Sequence, residues 1–237
     1  MKKITFIYSF LLCMTALTLA SCNDDDGQMT DTKITYYMAF EIQGDEFVQV
    51  PIGTPYTDQG CKATINGQDC TSRIKTTGVE TINVNKAGLY YITYSGVNDD
   101  GYGTSVTRTV AVCDPAITTD ISGAYKTAEG TYRLREGATT AYPGWGVTIR
   151  RDAPGIFYVS DILGGYYSLR AAYGDSYAMK GYIQLLADNS LEIISGDVAG
   201  WGDSFTDFKD GKYDPATKQL SWCVTYAGMD FYVVLAL

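Results

Sequence analysis

The amino-acid sequence predicts an all-β protein of two domains: an immunoglobulin-like β-sandwich followed by an antiparallel β-meander or barrel. Short runs rich in β-branched and aromatic residues recur along the chain and alternate with turn residues. The 20 tyrosines and 25 glycines are typical of many short strands joined by tight turns. No run shows sustained helical periodicity. The 237 residues are sufficient for two hydrophobic cores.

The N-terminal segment has the three parts of a signal peptide. Two lysines precede an uncharged run over residues 4–20, and small residues stand just before Cys22. A membrane-spanning helix needs roughly 20 apolar residues, whereas this run is shorter, contains hydroxyl groups and is soon followed by three aspartates. We therefore expect residues 1–21 to be cleaved.

The stretch Leu19-Ala20-Ser21-Cys22 resembles the lipobox of bacterial lipoproteins, in which the new N-terminal cysteine is lipidated. The resemblance implies a membrane anchor on Cys22, since several acyl chains, with about 0.8 kcal/mol per buried methylene, hold a protein stably. The following Asn23-Asp24-Asp25-Asp26 is similar to the export tag of Sus-like glycan-utilisation lipoproteins, which implies an outer-membrane location facing the exterior. The alternative is a solvated charge run in a polar tether over residues 22–33.

The composition excludes several classes of function. The chain has no histidine, so histidine-activated nucleophiles and histidine-ligated metal sites are excluded. Cleavage before Cys22 removes two of the 18 basic residues and none of the 27 acidic ones, which leaves a net charge of −11. Such a surface repels phosphate backbones, so we expect no nucleic-acid partner. We also predict no cofactor and no metal site.

Beyond the leader and the lipidated residue, four cysteines remain: Cys61, Cys70, Cys113 and Cys223. An exported chain meets oxidising conditions, and Cys61 and Cys70 flank the turn signal Asn66-Gly67. These two are the first candidate disulfide. A two-residue turn would offset them diagonally, so the bridge requires a longer turn.

Residues 34–113 form the first predicted domain. Its candidate strands cover residues 34–42, 47–51, 62–65, 79–84, 88–97 and 104–112. The stretches Gly53–Ala63, Gly88–Tyr94 and Thr107–Val112 resemble a bacterial immunoglobulin-like family first recognised in pesticidal crystal proteins. The resemblance implies a β-sandwich that serves as a spacer rather than as a binding site.

Residues 114–122 are the predicted linker and residues 123–237 the second domain. Its candidate strands cover residues 123–126, 131–135, 145–151, 155–161, 177–187, 190–195, 208–213, 219–226 and 229–235. Short turns between them force antiparallel neighbours, and alternation in the last two strands places Trp222 in the core. We predict a lipocalin-like up-and-down barrel, with a helical turn or two over residues 166–173. A second sandwich is the alternative.

Part of this domain is similar to the C-terminal β-domain found behind the same immunoglobulin-like module in surface lipoproteins of gut anaerobes. The stretches concerned are Phe157–Tyr167, Tyr173-Gly174 and Gly181-Tyr182-Ile183. The resemblance implies an architecture and a glycan-utilisation setting. It does not imply a mechanism.

Aromatic residues concentrate between the predicted strands of the second domain, beside carboxylates. A flat ring covers the apolar face of a pyranose, and a carboxylate accepts hydrogen bonds from sugar hydroxyls. The candidate ligand-binding residues are Trp145, Asp161, Tyr166, Tyr167, Tyr173, Trp201 and Asp203. The alternative is that the rings cap the barrel and pack its core, and that Asp161 caps the turn after its strand.

These patterns together predict a non-catalytic, membrane-anchored glycan-binding accessory protein of a polysaccharide-utilisation system. The first alternative is a structural or adhesive protein that binds another surface protein through the same loops. The second alternative is a small glycoside hydrolase, which needs two carboxylates flanking the scissile bond. No motif singles out such a pair.

Overall fold

The computed structural model describes residues 34–237, so the signal peptide, Cys22 and the acidic tether lie outside the described residues. This part of the chain is built from strands, short 3₁₀ turns and one π-helical turn, which confirms the all-β class. No helix within it is long and apolar enough to cross a membrane.

The first domain contains seven strands in two sheets. They are β1 (Ala39–Ile42), β2 (Phe47–Pro51), β3 (Cys61–Ile65), β4 (Gln68–Asp69), β5 (Lys75–Thr77), β6 (Gly88–Val97) and β7 (Gly103–Cys113). One sheet has the antiparallel order β1-β3-β4, and the other has the order β2-β7-β6-β5 with β2 and β7 parallel. Apolar side chains such as Val50, Ile92 and Val110 form the core of this sandwich.

The strand predicted at residues 79–84 is not formed. A 3₁₀ turn covers Val79–Thr81 instead, and a second one lies at Thr71–Arg73. The hydroxyl of Thr81 donates a hydrogen bond to the carbonyl of Gly78 at 2.7 Å. Such a local bond competes with strand pairing.

A buried arginine joins the loops of the first domain to its sheet. Arg108 occupies an inward position of β7 and is only 1% exposed. Its guanidinium pairs with Asp58, contacts the Tyr94 hydroxyl at 3.1 Å and donates to the carbonyls of Asp45, at 3.0 Å, and Gln43. Tyr94 donates its hydroxyl to Asp58 at 2.7 Å. Burial, followed by this bond to Asp58, raises the pKa of Tyr94.

The turn between β3 and β4 determines the register of the two candidate disulfide cysteines, Cys61 and Cys70. It contains only Asn66 and Gly67, both at positive φ, as in a two-residue hairpin turn. The Cys70 N–H therefore meets the Ala63 carbonyl at 2.9 Å, two positions away from Cys61. Both thiols are free, as are those of the other two cysteines of the described residues. The predicted disulfide between Cys61 and Cys70 is therefore not formed.

The second domain contains eleven strands. They are β8 (Gly123–Thr127), β9 (Tyr132–Arg135), β10 (Ala138–Ala141), β11 (Gly146–Ala153), β12 (Ile156–Val159), β13 (Met179–Leu185), β14 (Leu191–Val198), β15 (Asp203–Ser204), β16 (Asp207–Asp214), β17 (Gln219–Tyr226) and β18 (Met229–Ala236). A π-helical turn covers Tyr166–Arg170, within the predicted helical stretch, and a 3₁₀ turn covers Asp175–Tyr177. The hairpin β9–β10 is attached to the start of β18.

Eight of these strands form an antiparallel barrel: the paired order is β16-β17-β18-β8-β11-β12-β13-β14, and β14 and β16 are joined through an isolated bridge. The ring closes between β14 and β16, where the Tyr213 N–H donates to the Asn189 carbonyl at 2.8 Å and Ser190 bridges to Lys212. Gly211 permits this approach, because a Cβ there would lie 2.2 Å from a carbonyl oxygen of β14. The predicted barrel architecture is confirmed.

The barrel has an apolar core that is closed at both ends. Trp222 is 2% exposed, as its strand phase predicted, and its indole N–H donates to the Ile162 carbonyl at 2.8 Å. At one end the connector adds Ile117 and Ile121 to the core, so this predicted linker is packed rather than loose. Residues 161–170 close the opposite end.

The two domains share a small apolar joint. Ala111 and Cys113 at the end of β7 pack against Ala153 and Ile156, which flank the turn between β11 and β12. The barrel strands run alternately up and down, so this turn lies at the same end as Ile117. The loops that carry the predicted site residues therefore lie at the end of the barrel opposite the joint.

We expect Arg108→Ala to lower the free energy of unfolding by about 3–5 kcal/mol, because it leaves the largely buried carboxylate of Asp58 without its counter-charge. Urea denaturation measures the change. Arg73→Ala is the matched control, since Arg73 and Asp99 form an exposed pair at 2.8 Å and such pairs contribute about 0–1 kcal/mol. Equal losses in the two variants would contradict the assigned role of the buried network.

Candidate functional site

Asp161 organises the barrel end that faces away from the first domain. Its carboxylate is buried, at 3% exposure, and accepts hydrogen bonds from the Leu163 N–H at 3.0 Å, the Ser168 hydroxyl at 2.5 Å and the Met179 N–H at 3.3 Å. Burial raises the pKa of Asp161 to about 6, and these bonds oppose the rise. Asp161 is therefore a cap of the following turn, which corrects its candidacy as a ligand-binding residue.

The bonds to Asp161 start a tight turn that fixes the rings after it. Gly164 and Gly165 have φ of +64° and +78°, and the π-helical turn begins immediately afterwards. A Cβ on Gly164 would lie 3.0 Å from a methyl of Thr127, and one on Gly165 would lie 3.0 Å from Cβ of Trp145. Backbone and side chains approach too closely there for a larger residue.

Two of the predicted ligand-binding rings pack the barrel instead. Tyr166 is 6% exposed and meets Tyr142 and Phe231 edge to face, with ring centroids 5.0 and 5.2 Å apart. Trp145 is half-buried against the same core. For these two residues the structure favours the alternative of core packing.

The other aromatic candidates gather at the surface. We call Tyr167, Tyr173, Tyr177 and Trp201 the aromatic platform. Its rings meet at Trp201, with centroid distances of 4.7 Å to Tyr177, 4.9 Å to Tyr167 and 5.9 Å to Tyr173. Trp201 is 43% exposed and Tyr173 is 56% exposed, whereas Tyr167 and Tyr177 are half-buried. The platform therefore presents large apolar ring surface to solvent.

The platform is held from below and from the side. Tyr226, buried at the end of β17, lies nearly parallel to Trp201 at 6.2 Å and donates its hydroxyl to Asp203 at 2.7 Å. Burial, followed by that bond, raises the pKa of Tyr226. The Gly200 N–H donates to the Ser176 carbonyl at 2.7 Å and ties the two platform loops together. The predicted residue Asp203 is exposed beside the platform.

Three platform residues, Tyr173, Tyr177 and Trp201, line an open pocket of about 430 Å³. Tyr177 is in the 3₁₀ turn before β13. The predicted strand over residues 177–187 began with it, and it was not among the predicted site residues. Two other open pockets, of about 450 and 400 Å³, lie near the domain joint and share Tyr91 and Tyr182. There the Tyr182 hydroxyl is already bonded to Asp152 at 3.0 Å.

No cluster of three or more metal-ligating side chains occurs among residues 34–237. The candidate site consists of the rings of the aromatic platform and one exposed carboxylate, Asp203.

Asp161 predicts a specific pH dependence of stability. A carboxyl whose pKa rises from 3.8 to about 6 on folding adds stability in full below pH 3.8 and loses it as the pH rises through 6. In Asp161→Asn this titration is absent. The free energy of unfolding of the wild type relative to this variant should fall by about 2 kcal/mol between pH 4 and pH 7.

Denaturant titrations at each pH measure this difference, with Asp188→Asn as the control. The exposed Asp188 accepts hydrogen bonds from Ser190, which lower its pKa from 3.8, so its titration lies below the same pH window. A pH profile of Asp161→Asn that is parallel to the wild-type profile would contradict the assignment.

Two family models match the chain. Residues 40–112 match the bacterial surface protein Ig-like domain, which confirms the resemblance seen in the sequence. Residues 114–237 match a family described as "-like, C-terminal domain", and this match alone spans more than half of the chain. No curated protein matches.

Among solved structures, the chain is similar to the lipoprotein BT2262 from Bacteroides thetaiotaomicron, with 38% identity, coverage of 85% of this chain and 100% of that chain, and a TM-score of 0.49. The chain is also matched to CBM51-2 in complex with GlcNAc and INT domains from Clostridium perfringens ZmpB, with 16% identity, coverage of 56% of this chain and 34% of that chain, and a TM-score of 0.28. The chain thus belongs to the family of bacterial surface lipoproteins in which an Ig-like domain precedes this C-terminal domain.

Proposed function

We propose that this protein is a non-catalytic glycan-binding lipoprotein of the outer membrane and that the aromatic platform is its binding face. The observation that carries the proposal is the open pocket between the rings of Tyr173, Tyr177 and Trp201. It lies at the end of the barrel opposite the joint with the Ig-like domain. A site in that place remains accessible when the Ig-like domain acts as a spacer.

Sugar recognition requires flat apolar surface beside hydrogen-bonding groups. The exposed rings of Trp201 and Tyr173 supply the surface, and they cover the C–H face of a pyranose. Asp203 supplies an exposed acceptor within the same loop as Trp201. The contacts of Trp201 with Tyr226 and the other platform rings hold it in place, so little side-chain entropy is lost on binding.

The pocket lining favours binding over hydrolysis. Glycoside hydrolysis uses two carboxylates placed on either side of the scissile bond. The pocket between Tyr173, Tyr177 and Trp201 is lined by rings and by no carboxylate. Asp161, the carboxyl with a raised pKa near this end, is buried and already bonded to three protein donors.

The proposed anchor is the lipid on Cys22. Its support is the lipobox-like stretch before it, the acidic stretch after it and the similarity of the chain to a Bacteroides lipoprotein. Residues 22–33 would then tether the Ig-like domain to the outer membrane with the barrel facing the exterior. Neighbouring surface proteins are the further partners that this location makes available.

We expect Trp201→Ala to weaken retention on its polysaccharide at least about tenfold, which corresponds to about 1.4 kcal/mol. Affinity electrophoresis on a panel of plant, host and microbial polysaccharides measures retention. Trp145→Ala is the matched control: it should keep binding but lower the free energy of unfolding by about 3 kcal/mol, since this ring packs against the core.

No retention of the wild type by any polysaccharide would contradict glycan binding and favour the adhesive alternative, in which the platform contacts another protein. Reducing ends released on prolonged incubation would instead favour the hydrolase. Thermal unfolding of both tryptophan variants separates a binding loss from a folding loss.

We expect Cys22→Ser to release the protein from the membrane fraction, because the acyl chains have no other attachment thiol at the cleavage site. Detergent phase partitioning of the full chain measures this change. Cys13→Ser is the control, since Cys13 lies in the predicted leader. A wild-type mass that shows an intact leader or an unmodified thiol at Cys22 would contradict the anchor.

A further inference from the structure

Two arginines converge on one ring beside the aromatic platform. The guanidinium carbons of Arg133 and Arg170 each lie 5.1 Å from the centroid of the Tyr166 ring. Arg133 comes from β9, and Arg170 ends the π-helical turn. Tyr166 in turn contacts Tyr167 of the platform edge to face, with ring centroids 5.0 Å apart. Both cations are therefore within two ring contacts of Trp201.

Neither cation is neutralised by the protein. Among the described residues, the ion pairs involve other arginines and lysines, and neither Arg133 nor Arg170 takes part in one. Arg133 donates to the Thr140 hydroxyl at 3.3 Å, but its buried Nε has no hydrogen-bond partner within residues 34–237. In a chain with 27 acidic residues and a net charge of −9, these two cations lie over one ring and neither has a paired carboxylate.

The register of the hairpin places Arg133 where an apolar residue is expected. Arg133 pairs with Phe231 of β18, and directly opposed residues of two strands point to the same face of the sheet. Phe231 is fully buried in the barrel core. A guanidinium on this face is partly desolvated without an ionic partner, an arrangement that costs free energy in the unliganded protein. An incoming anion would compensate that cost.

The positive charge extends to the platform itself. Burial raises the pKa of Tyr167, whereas the charges of Arg133 and Arg135 act in the opposite direction. Arg135, at the end of β9, is exposed and paired with Glu136 at 3.6 Å. Arg133 and Arg170 are therefore the unpaired cations on the side of the platform where Tyr167 lies.

We propose that Arg133 and Arg170 form an anion subsite next to the aromatic platform and that the bound glycan is acidic, carrying a carboxylate or sulfate substituent. This inference rests on the proposed glycan-binding function. A guanidinium presents two parallel N–H donors that match the two oxygens of either group. The platform then covers an apolar sugar face while the arginines bind the charge of the same or the neighbouring sugar.

Titration calorimetry on the full chain tests the subsite with three ligands: an oligogalacturonide, its neutral methyl ester and a sulfated galactan oligosaccharide. We expect the wild type to bind an anionic ligand about tenfold more tightly than the ester, the factor typical of one hydrogen bond to a charged group. The preferred anionic ligand identifies the substituent. Arg170→Gln, at an exposed position, should abolish the preference without a change in melting temperature.

Arg133→Gln should also abolish the preference, and its melting temperature shows whether the barrel remains folded. Arg150→Gln is the matched control, because Arg150 also lies over a tyrosine ring, at 4.9 Å, but is paired with Asp152. It should retain the preference. Trp201→Ala should weaken the binding of all three ligands by a similar factor, so this variant measures the contribution of the platform separately.

Equal affinity of the wild type for the charged and neutral ligands would overturn the anion subsite and leave the platform as a neutral glycan site. A preference for the anionic ligand that survives in both Arg170→Gln and Arg133→Gln would contradict the location of the anion subsite at these two arginines. Equally tight binding of a polyglutamate peptide would overturn the assignment to a glycan. No binding of any sugar, here and on the polysaccharide panel, would overturn this inference together with the proposed function.

Discussion

The burial of one carboxylate, Asp161, determines the geometry of the whole candidate site. A buried carboxylate needs hydrogen-bond donors, and here they come from the turn that follows it and from the start of β13. The chain between these donors is forced into a compact loop with a π-helical turn. That loop sends Tyr166 into the barrel and Tyr167 to its rim. The hydrogen bonds to this carboxylate therefore fix which of the two tyrosines is buried and which lies at the surface.

The aromatic platform is an extension of the barrel core rather than a separate layer. Ring contacts run without a break from Phe231 through Tyr166 and Tyr167 to Trp201. Tyr226 contributes to both, since it is buried in the core and lies under Trp201. A binding surface built in this way is rigid, because each exposed ring is held by a buried one. The same continuity explains why composition alone did not separate packing rings from exposed ones.

The sequence predicted those features that depend on local pattern. Strand alternation placed Trp222 in the core, and short turns predicted the antiparallel barrel. It did not predict features that depend on contacts between distant residues. Arg133 meets its strand partner Phe231 and the ring of Tyr166 only in the folded domain, so its position beside the platform had no local signal. Tyr177 and Tyr173 likewise became neighbours of Trp201 only when β13 paired with β14.

The joint between the domains gives the platform its direction. Ala111 and Cys113 are small and fully buried, so β7 approaches the barrel closely, and the connector seals the contact by adding Ile121 to the barrel core. The two domains are therefore in direct apolar contact, and separating them would expose this surface to water. The barrel strands run alternately up and down, so the loop with Trp201 lies at the end opposite the turn that contacts the Ig-like domain. Directional presentation of a rigid aromatic face is therefore built into the fold itself.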